Sequence, residues 1–549
     1  MKSTHNTRGR SSAWLICALA AAAGGTADVA CAQLNESQVL VLYDSRIPDS
    51  LSIAEFYAGS TRVPGGIGNR SGMHPTVRVA DLAQMPGAGV VPNPGTISYP
   101  NFVSKFRDPL RTYLAATNLT NTIRCIVLTR GLPHRVQDIN HPNPNVGDQP
   151  GSAASLLNAG NATYASLDSE LTFLWQNLNA GEANGLGDSK ADGGIINPYF
   201  KSVQPMSAYS TQNIRANKTI LQGAPFNGII WRWFPTNATG LTGGDMYLVC
   251  RLDGNSVADV IASVERSHNL AIDLDTSLMI LDESASDGVQ NTSDSDNELD
   301  NDGPVQYTNN GDDYEQTRDL LISDGRFLAS NIKYDRWATA SGFLVGPLLN
   351  FGGGTVVNGK VLLLATYGAN HSGVPGTPGS SGTQYPFSFT YHPGAVFNTI
   401  ESYNGRSFGG IGIGPIPQAQ VADFLQAGGT FGIGNVWEPF SFSVPDNVLI
   451  VRNFYLGSLT WAEAAWSSIP MVSWQQVVVG DPLARVRRTR EDINGDEGTD
   501  LEDLYSWFAP ASRPRDLNRD GRVDRVDAET LRNSIRGPES GNMRPVGGR

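Results

Sequence analysis

The chain has 549 residues, too many for one compact core of ordinary size. Its 17% charged residues, 40% hydrophobic residues, 60 Gly and 32 Pro describe a loop-rich globular protein rather than a disordered one. A net charge of −13 argues against nucleic acid as a partner, because the one basic cluster, Arg485 to Arg490, is short and flanked by acids.

The first segment reads as an export signal over residues 1–32. Lys2, Arg8 and Arg10 form a basic start and Ala13 to Ala23 an apolar stretch. Ala30-Cys31-Ala32 is a small-x-small cleavage site before Gln33. No later run is long enough to span a membrane, so the mature chain is expected to be exported without a membrane span. Two cysteines remain after cleavage, Cys125 and Cys250. They either join in a disulfide or stay as buried thiols on core strands.

Residues 33–485 read as one α/β body. Val39 to Tyr43 is a continuous apolar run, as in a strand covered on both faces, and a helix over Leu51 to Ser60 follows. Further helices are expected over Phe102 to Ala116, Leu167 to Leu178, Asn255 to Leu270, Tyr314 to Asp324, Gln418 to Ala427 and Trp461 to Ser467. Strands are expected over Ile123 to Leu128, Tyr247 to Cys250, Ser277 to Leu281, Val361 to Thr366, Ala395 to Ile400 and Thr430 to Val436. Their alternation predicts a mostly parallel sheet flanked by helices on both faces, caspase-like or flavodoxin-like in type. The acidic segment from Asp282 to Asp313 reads as a surface loop.

The clearest chemistry lies beyond a linker over 486–490. Asp492-Ile-Asn-Gly-Asp-Glu-Gly-Thr-Asp-Leu-Glu-Asp503 and Asp516-Leu-Asn-Arg-Asp-Gly-Arg-Val-Asp-Arg-Val-Asp527 have oxygen side chains at positions one, three, five, nine and twelve. That is the ligand spacing of a calcium loop. The spacing nominates Asp492, Asn494, Asp496, Asp500 and Asp503 in one loop. In the other it nominates Asp516, Asn518, Asp520, the Arg522 carbonyl, Asp524 and Asp527. Gly521 permits the sharp turn of the second loop, whereas Glu497 stands at that place in the first. Leu501, Leu504, Tyr505 and Phe508 are expected to form one apolar helix face and Ala528, Leu531 and Ile535 another, packing together as a small all-α module over 491–537. A Pro/Gly-rich tail, 538–549, reads as disordered.

This tandem resembles the type I dockerin module, in which each loop closes at Asp and leads into a helix. The resemblance implies Ca2+ as cofactor and attachment to a cohesin-like or cell-surface protein partner. It also brings an association with polysaccharide-degrading enzymes. The positions following position nine, Leu501-Glu502 and Arg525-Val526, differ between the repeats.

The body resembles an uncharacterised family of exported bacterial proteins through a series of short motifs. In order these are Ser52-Ile-Ala-Glu-Phe-Tyr57, Arg62-Val-Pro64, Leu128-Thr-Arg-Gly-Leu-Pro133, Ser166-Leu-Asp-Ser-Glu-Leu171, Cys250-Arg-Leu-Asp-Gly254, Gly394-Ala-Val396, Val436-Trp-Glu-Pro439 and Gly480-Asp-Pro482. More distantly it is similar to the gingipain-type cysteine peptidases, which place a His after one strand and a Cys after the next. The corresponding positions here are His371 and Ser402, so a cysteine nucleophile is missing and cysteine peptidase activity is not expected. His371, Ser402 and Glu438 are the candidates for a hydrolase acting on peptide or polysaccharide. Arg251 and Asp253 are expected to form a structural ion pair, and Trp437, Trp461, Trp466 and Trp474 to belong to the core.

Overall fold

The computed structural model describes residues 33–89, 95–137, 164–176, 195–216, 225–226, 229–230, 241–268, 270–272, 274–283, 313–335, 342–371, 382–409, 411–412, 418–437, 439, 443–488, 491, 493, 500–509, 516–518 and 522–535. The expected export signal and the tail after 537 lie outside them.

Ten strands form one large mixed sheet flanked by helices. They are β1 (Val39–Tyr43), β2 (Arg78–Asp81), β3 (Cys125–Thr129), β4 (Leu248–Leu252), β5 (Ser277–Asp282), β6 (Ile332–Asp335), β7 (Lys360–Thr366), β8 (Thr390–Thr399), β9 (Phe431–Asn435) and β10 (Gln476–Val479). Their spatial order is β6-β5-β7-β8-β9-β10-β4-β3-β1-β2. Neighbours within β6-β5-β7-β8-β9 and within β4-β3-β1-β2 are parallel, whereas β9 and β10 are antiparallel, with Gly432 facing Val479 and Asn435 facing Gln476. β10 thus divides the sheet into two parallel halves. The loops after their strands meet: His134, beyond β3, lies 2.8 Å from the Arg406 carbonyl beyond β8, and Arg130 reaches the Phe408 carbonyl at 3.4 Å.

The strands form where apolar runs can be covered on both sides. In the half containing β5 to β9, successive residues enter different cores. Met279 and Leu281 join one apolar cluster, while Leu278 and Ile280 join another. Helices α1 (Pro48–Ala58), α2 (Asp108–Ala116), α3 (Leu167–Thr172), α4 (Val257–Ser267), α5 (Asp313–Asp324) and α7 (Trp461–Ser468) supply the first cluster, and α6 (Val421–Gln426) supplies the second. Trp461, Trp466 and Trp474 are fully buried, as expected. Trp437 differs: it is half-buried and stacks on the Arg406 guanidinium at 4.7 Å.

Several elements depart from the sequence reading. The helix expected over Leu167 to Leu178 stops at Thr172, whose carbonyl accepts the Tyr247 N–H at 2.9 Å and so leaves the helical ladder. The helix before β3 begins earlier, at Tyr99, and passes through a π turn, Val103–Arg107, before Pro109. Strands β2, β6 and β10 were not anticipated. The acidic segment expected as a surface loop has buried ends, Asp282 closing β5 and Asp313 opening α5, while 284–312 lie outside the described residues. Arg487–Arg488, within the expected linker, pairs in parallel with Ala271–Ile272. Cys125 and Cys250 are buried, unbonded thiols on adjacent strands, and burial together with the Cys125 thiol pushes Cys250 well above the usual thiol range. Among the described residues no helix is long and apolar enough to cross a membrane.

The two ends of the body are tied together. Asp481 accepts from Tyr57 Oη at 2.7 Å and pairs with His74 Nε2 at 2.9 Å, while His74 Nδ1 meets Glu36 at 3.2 Å. Glu463 accepts from the Leu34 N–H at 3.2 Å, and Arg485 donates to the Leu34 carbonyl at 3.0 Å. Burial works against a charge on His74, but attraction to Asp481 and hydrogen bonds to Asp481 and Glu36 outweigh it and hold its pKa up at about 9.

A His whose folded pKa is raised stabilises fully below its unfolded pKa and loses that contribution as pH rises through the folded value. Wild type should therefore lose up to about 3 kcal/mol between pH 6.5 and 9 from this residue. His74→Gln should be less stable at pH 6 and lack that part of the decline. Denaturant melts of both proteins across this range check it, and parallel pH profiles would refute it.

Candidate functional site

Each parallel half has a point where the strand order reverses, the usual place for a site in an open α/β sheet. In the first half it lies between β1 and β3. The polar groups around it satisfy one another. Ser50 Oγ donates to or accepts from Thr129 Oγ1 at 2.6 Å and accepts the Asp44 N–H at 2.9 Å. Arg130 reaches Asp49 at 3.1 Å and Asp253 at 3.2 Å. Arg251, fully buried, clamps Asp168 through Nε at 3.2 Å and Nη2 at 2.6 Å. Its Nη1 takes Asp253 at 3.0 Å, and Nη2 donates to the Pro133 carbonyl at 2.9 Å. Buried charges persist in this way only when paired and fully hydrogen-bonded. The expected structural ion pair is thus part of a larger network.

In the second half the order reverses between β5 and β7, and there the balance is different. The apolar run of β5 carries its first acid, Asp282, to the carboxyl edge, completely buried. Asp335 ends the neighbouring β6 at the same level, in register with Asp282. His371 follows β7 on a tight turn, Gly368–Asn370, its N–H bonded to the Gly368 carbonyl at 3.1 Å. One donor atom each from Asp282, Asp335 and His371 lies within 4.8 Å of the others. Asp282 Oδ2 accepts from the Leu344 N–H at 3.1 Å and from Thr366 Oγ1 at 3.4 Å. Its Oδ1 is turned toward His371 Nε2, 3.9 Å away, and has no hydrogen-bond partner among the described residues. The Phe343 ring meets the imidazole edge-on at 5.1 Å. Burial, reinforced by the charge of Asp335, pushes the Asp282 carboxyl well above the carboxylate range despite these hydrogen bonds.

The turn carrying His371 is held by Glu401, which follows β8. Its Oε1 accepts from the Ala369 and Ala419 N–H groups, both at 2.9 Å, and its Oε2 accepts from Thr399 Oγ1 at 3.0 Å. Gly368 sits at φ +54°, and a Cβ there would lie 2.4 Å from the Glu401 carboxyl carbon, so both conformation and space require glycine. Of the residues the sequence nominated, His371 is buried and faces the two aspartates. Ser402 is half-buried in the turn after Glu401, and Glu438 lies outside the described residues. His392 sits near the opposite end of β8 from His371's edge, its Nδ1 2.7 Å from the Pro393 carbonyl. Sequence reasoning missed Asp282 and Asp335. The available signal was an acid ending an apolar strand run.

The C-terminal loops are partly described. Asp492, Asn494, Asp496 and Asp520 lie outside the described residues. Helices α8 (Leu501–Trp507) and α9 (Arg525–Ile535) follow the two loops. Asp503, at position twelve, accepts from Ile493 N–H at 2.7 Å and Asp500 N–H at 2.8 Å. Asp527 accepts from Leu517 at 2.6 Å, Asn518 at 3.0 Å and Asp524 at 2.8 Å. Asp516 and Asn518 are half-buried, while Arg522 and Asp524 are exposed. The helices meet through Leu504 and Trp507 on one side and Ala528, Leu531 and Ile535 on the other, with Leu517 and Ile493. The expected face of α8 is corrected here. Leu504 and Trp507 point inward, whereas Leu501, Tyr505 and Phe508, spaced four and three apart on the adjacent stripe, are 45%, 73% and 70% exposed.

Compared with known protein families, curated proteins and solved structures, the chain matches none.

Burial raises the Glu401 pKa from 4.5 to about 7 against its three hydrogen bonds. A carboxyl raised in the folded state favours the fold at low pH and loses that contribution as pH climbs to the folded value. Wild type should lose up to about 3 kcal/mol between pH 4.5 and 7 through Glu401. Glu401→Gln keeps an acceptor for the two backbone donors and should lack that loss. A variant that declines in parallel with wild type over this window would refute the assignment.

Proposed function

We propose that the protein is an exported calcium-binding protein whose dockerin-like C-terminal tandem attaches an α/β body to a cohesin-like or cell-surface protein. The observation that carries this reading is the closure common to both loops. In each, the carboxylate at position twelve accepts from the N–H groups of positions two and nine. Two segments with the same ligand spacing also fold back in the same register, and each leads into a helix. The donors that would hold Ca2+ are Asp492, Asn494, Asp496, Asp500 and Asp503, and Asp516, Asn518, Asp520, the Arg522 carbonyl, Asp524 and Asp527. They are oxygen ligands throughout, as a hard cation requires. Bound calcium would supply the cohesion that a module with so few buried apolar residues lacks. The exposed Leu501, Tyr505 and Phe508, with Val526 at the start of α9, support a protein partner docking on the helices.

A second reading, a hydrolase acting on peptide or polysaccharide with a caspase-like body, is favoured by the gathering of His371, Asp282 and Glu401 at a strand-order reversal. His371 and Glu401-Ser402 follow consecutive strands, as the gingipain-type arrangement would have them.

Hydrogen exchange of the full chain, with calcium and with chelator, tests the first reading. Chelation should deprotect peptides covering α8 and α9 and leave those of the ten-stranded sheet unchanged. Asp527→Ala should reproduce the effect at α9 in the presence of calcium. Exchange in both helices that ignores chelator would overturn the proposal.

A further inference from the structure

We propose that Asp282, Asp335 and His371 form a binding site for a first-row divalent transition metal of the Zn2+ or Mn2+ class. The site goes beyond the attachment reading and does not depend on it. Three observations converge. The first is the donor set: two carboxylates and one imidazole, with a donor atom from each within 4.8 Å of the others. The second is Asp282 Oδ1. It belongs to a fully buried side chain and has no hydrogen-bond partner among the described residues, yet it is aimed at His371 Nε2. A buried carboxylate oxygen in that state costs stability unless a cation meets it. The third is position, at the carboxyl edge where the strand order reverses between β5 and β7.

The surroundings are organised as a metal site requires. The other oxygen of Asp282 is already fixed by the Leu344 N–H and the Thr366 hydroxyl, so one oxygen remains directed inward. His371 is oriented by the turn that Glu401 holds and by the edge of Phe343. Asp335 is only half-buried. Asp282 and His371 donors are 3.9 Å apart, against the ~3.4 Å that separates two donors at tetrahedral angles on bonds of ~2.1 Å. For this pair, closing on a cation needs a movement of about half an ångström. Three protein donors including a nitrogen do not suit Ca2+, which takes six to eight oxygens, but they do suit a borderline cation that keeps water or substrate in its remaining positions.

The test uses the full chain, stripped with chelator, returned to saturating Ca2+ so that the C-terminal loops are filled, and titrated with Co2+. Uptake is followed by the visible absorption of bound Co2+ and by its displacement with Zn2+. Wild type should take up about one equivalent. Asp282→Asn, Asp335→Asn and His371→Gln should each weaken binding by about tenfold or more. Metal-free Asp282→Asn should melt no lower than wild type, because its amide keeps the acceptor for the Leu344 N–H and the Thr366 hydroxyl and turns an N–H toward His371 Nε2, and this separates loss of the site from loss of the fold. Asp335→Asn, at a half-buried position, provides a second folded control. Absence of Co2+ uptake by calcium-saturated wild type, or uptake unchanged in all three variants, would overturn the assignment. Either result would leave the calcium reading of the tail standing.

Discussion

The antiparallel register between β9 and β10 is the constraint on which the architecture depends. Backbone hydrogen bonds from Gly432 to Asn435 with Val479 to Gln476 join β10 to the half that ends in β9. Parallel strands present their loops at their carboxyl ends, and the loops of the two halves meet where His134 and Arg130 reach the Arg406 and Phe408 carbonyls. The Arg130–Arg251 network and the Asp282–His371 cluster nevertheless differ in their balance of charge.

That balance differs sharply between them. Around Arg251 each buried acid has a cation in contact, and the guanidinium nitrogens reach carboxylates or carbonyls. The result is a hydrogen-bonded joint between β4, α3 and the loop after β3. Around Asp282 the acids outnumber the cations, and burial opposes their charge. Such an imbalance marks a candidate functional site.

Continuous apolar runs made β1, β3, β5 and β7 legible in the sequence, because a strand covered on both faces has no other composition. The edges were less legible. β2 runs from an exposed to a buried end, β6 is half-buried throughout, and β10 is a short run whose pairing direction no periodicity encodes. His371 could be found because it follows a legible strand. Asp335 could not, since its strand was unread, and Asp282 was taken for the start of a loop when it is the buried end of a strand. In the tail, oxygen side chains recur at the same spacing in both loops, so both stood out. Which stripe of α8 faces α9 depends on a single residue's rotation about the helix, and the apolar content of both stripes concealed it.

The clamp of Glu36, His74 and Asp481 also sets an order of events. Leu34 is completed by Glu463 and Arg485, and His74 by Asp481, more than four hundred positions later. Strand β1 can pair early with β3 and Glu36 with Thr76, but Leu34 and His74 lack these distant partners until nearly the whole body has been made. Contacts so distant in sequence slow folding and keep early segments exposed while they wait. Final locking of the body thus belongs to the completed chain, and a truncation just short of Asp481 would remove the latch while leaving nearly all of the sheet's residues in place.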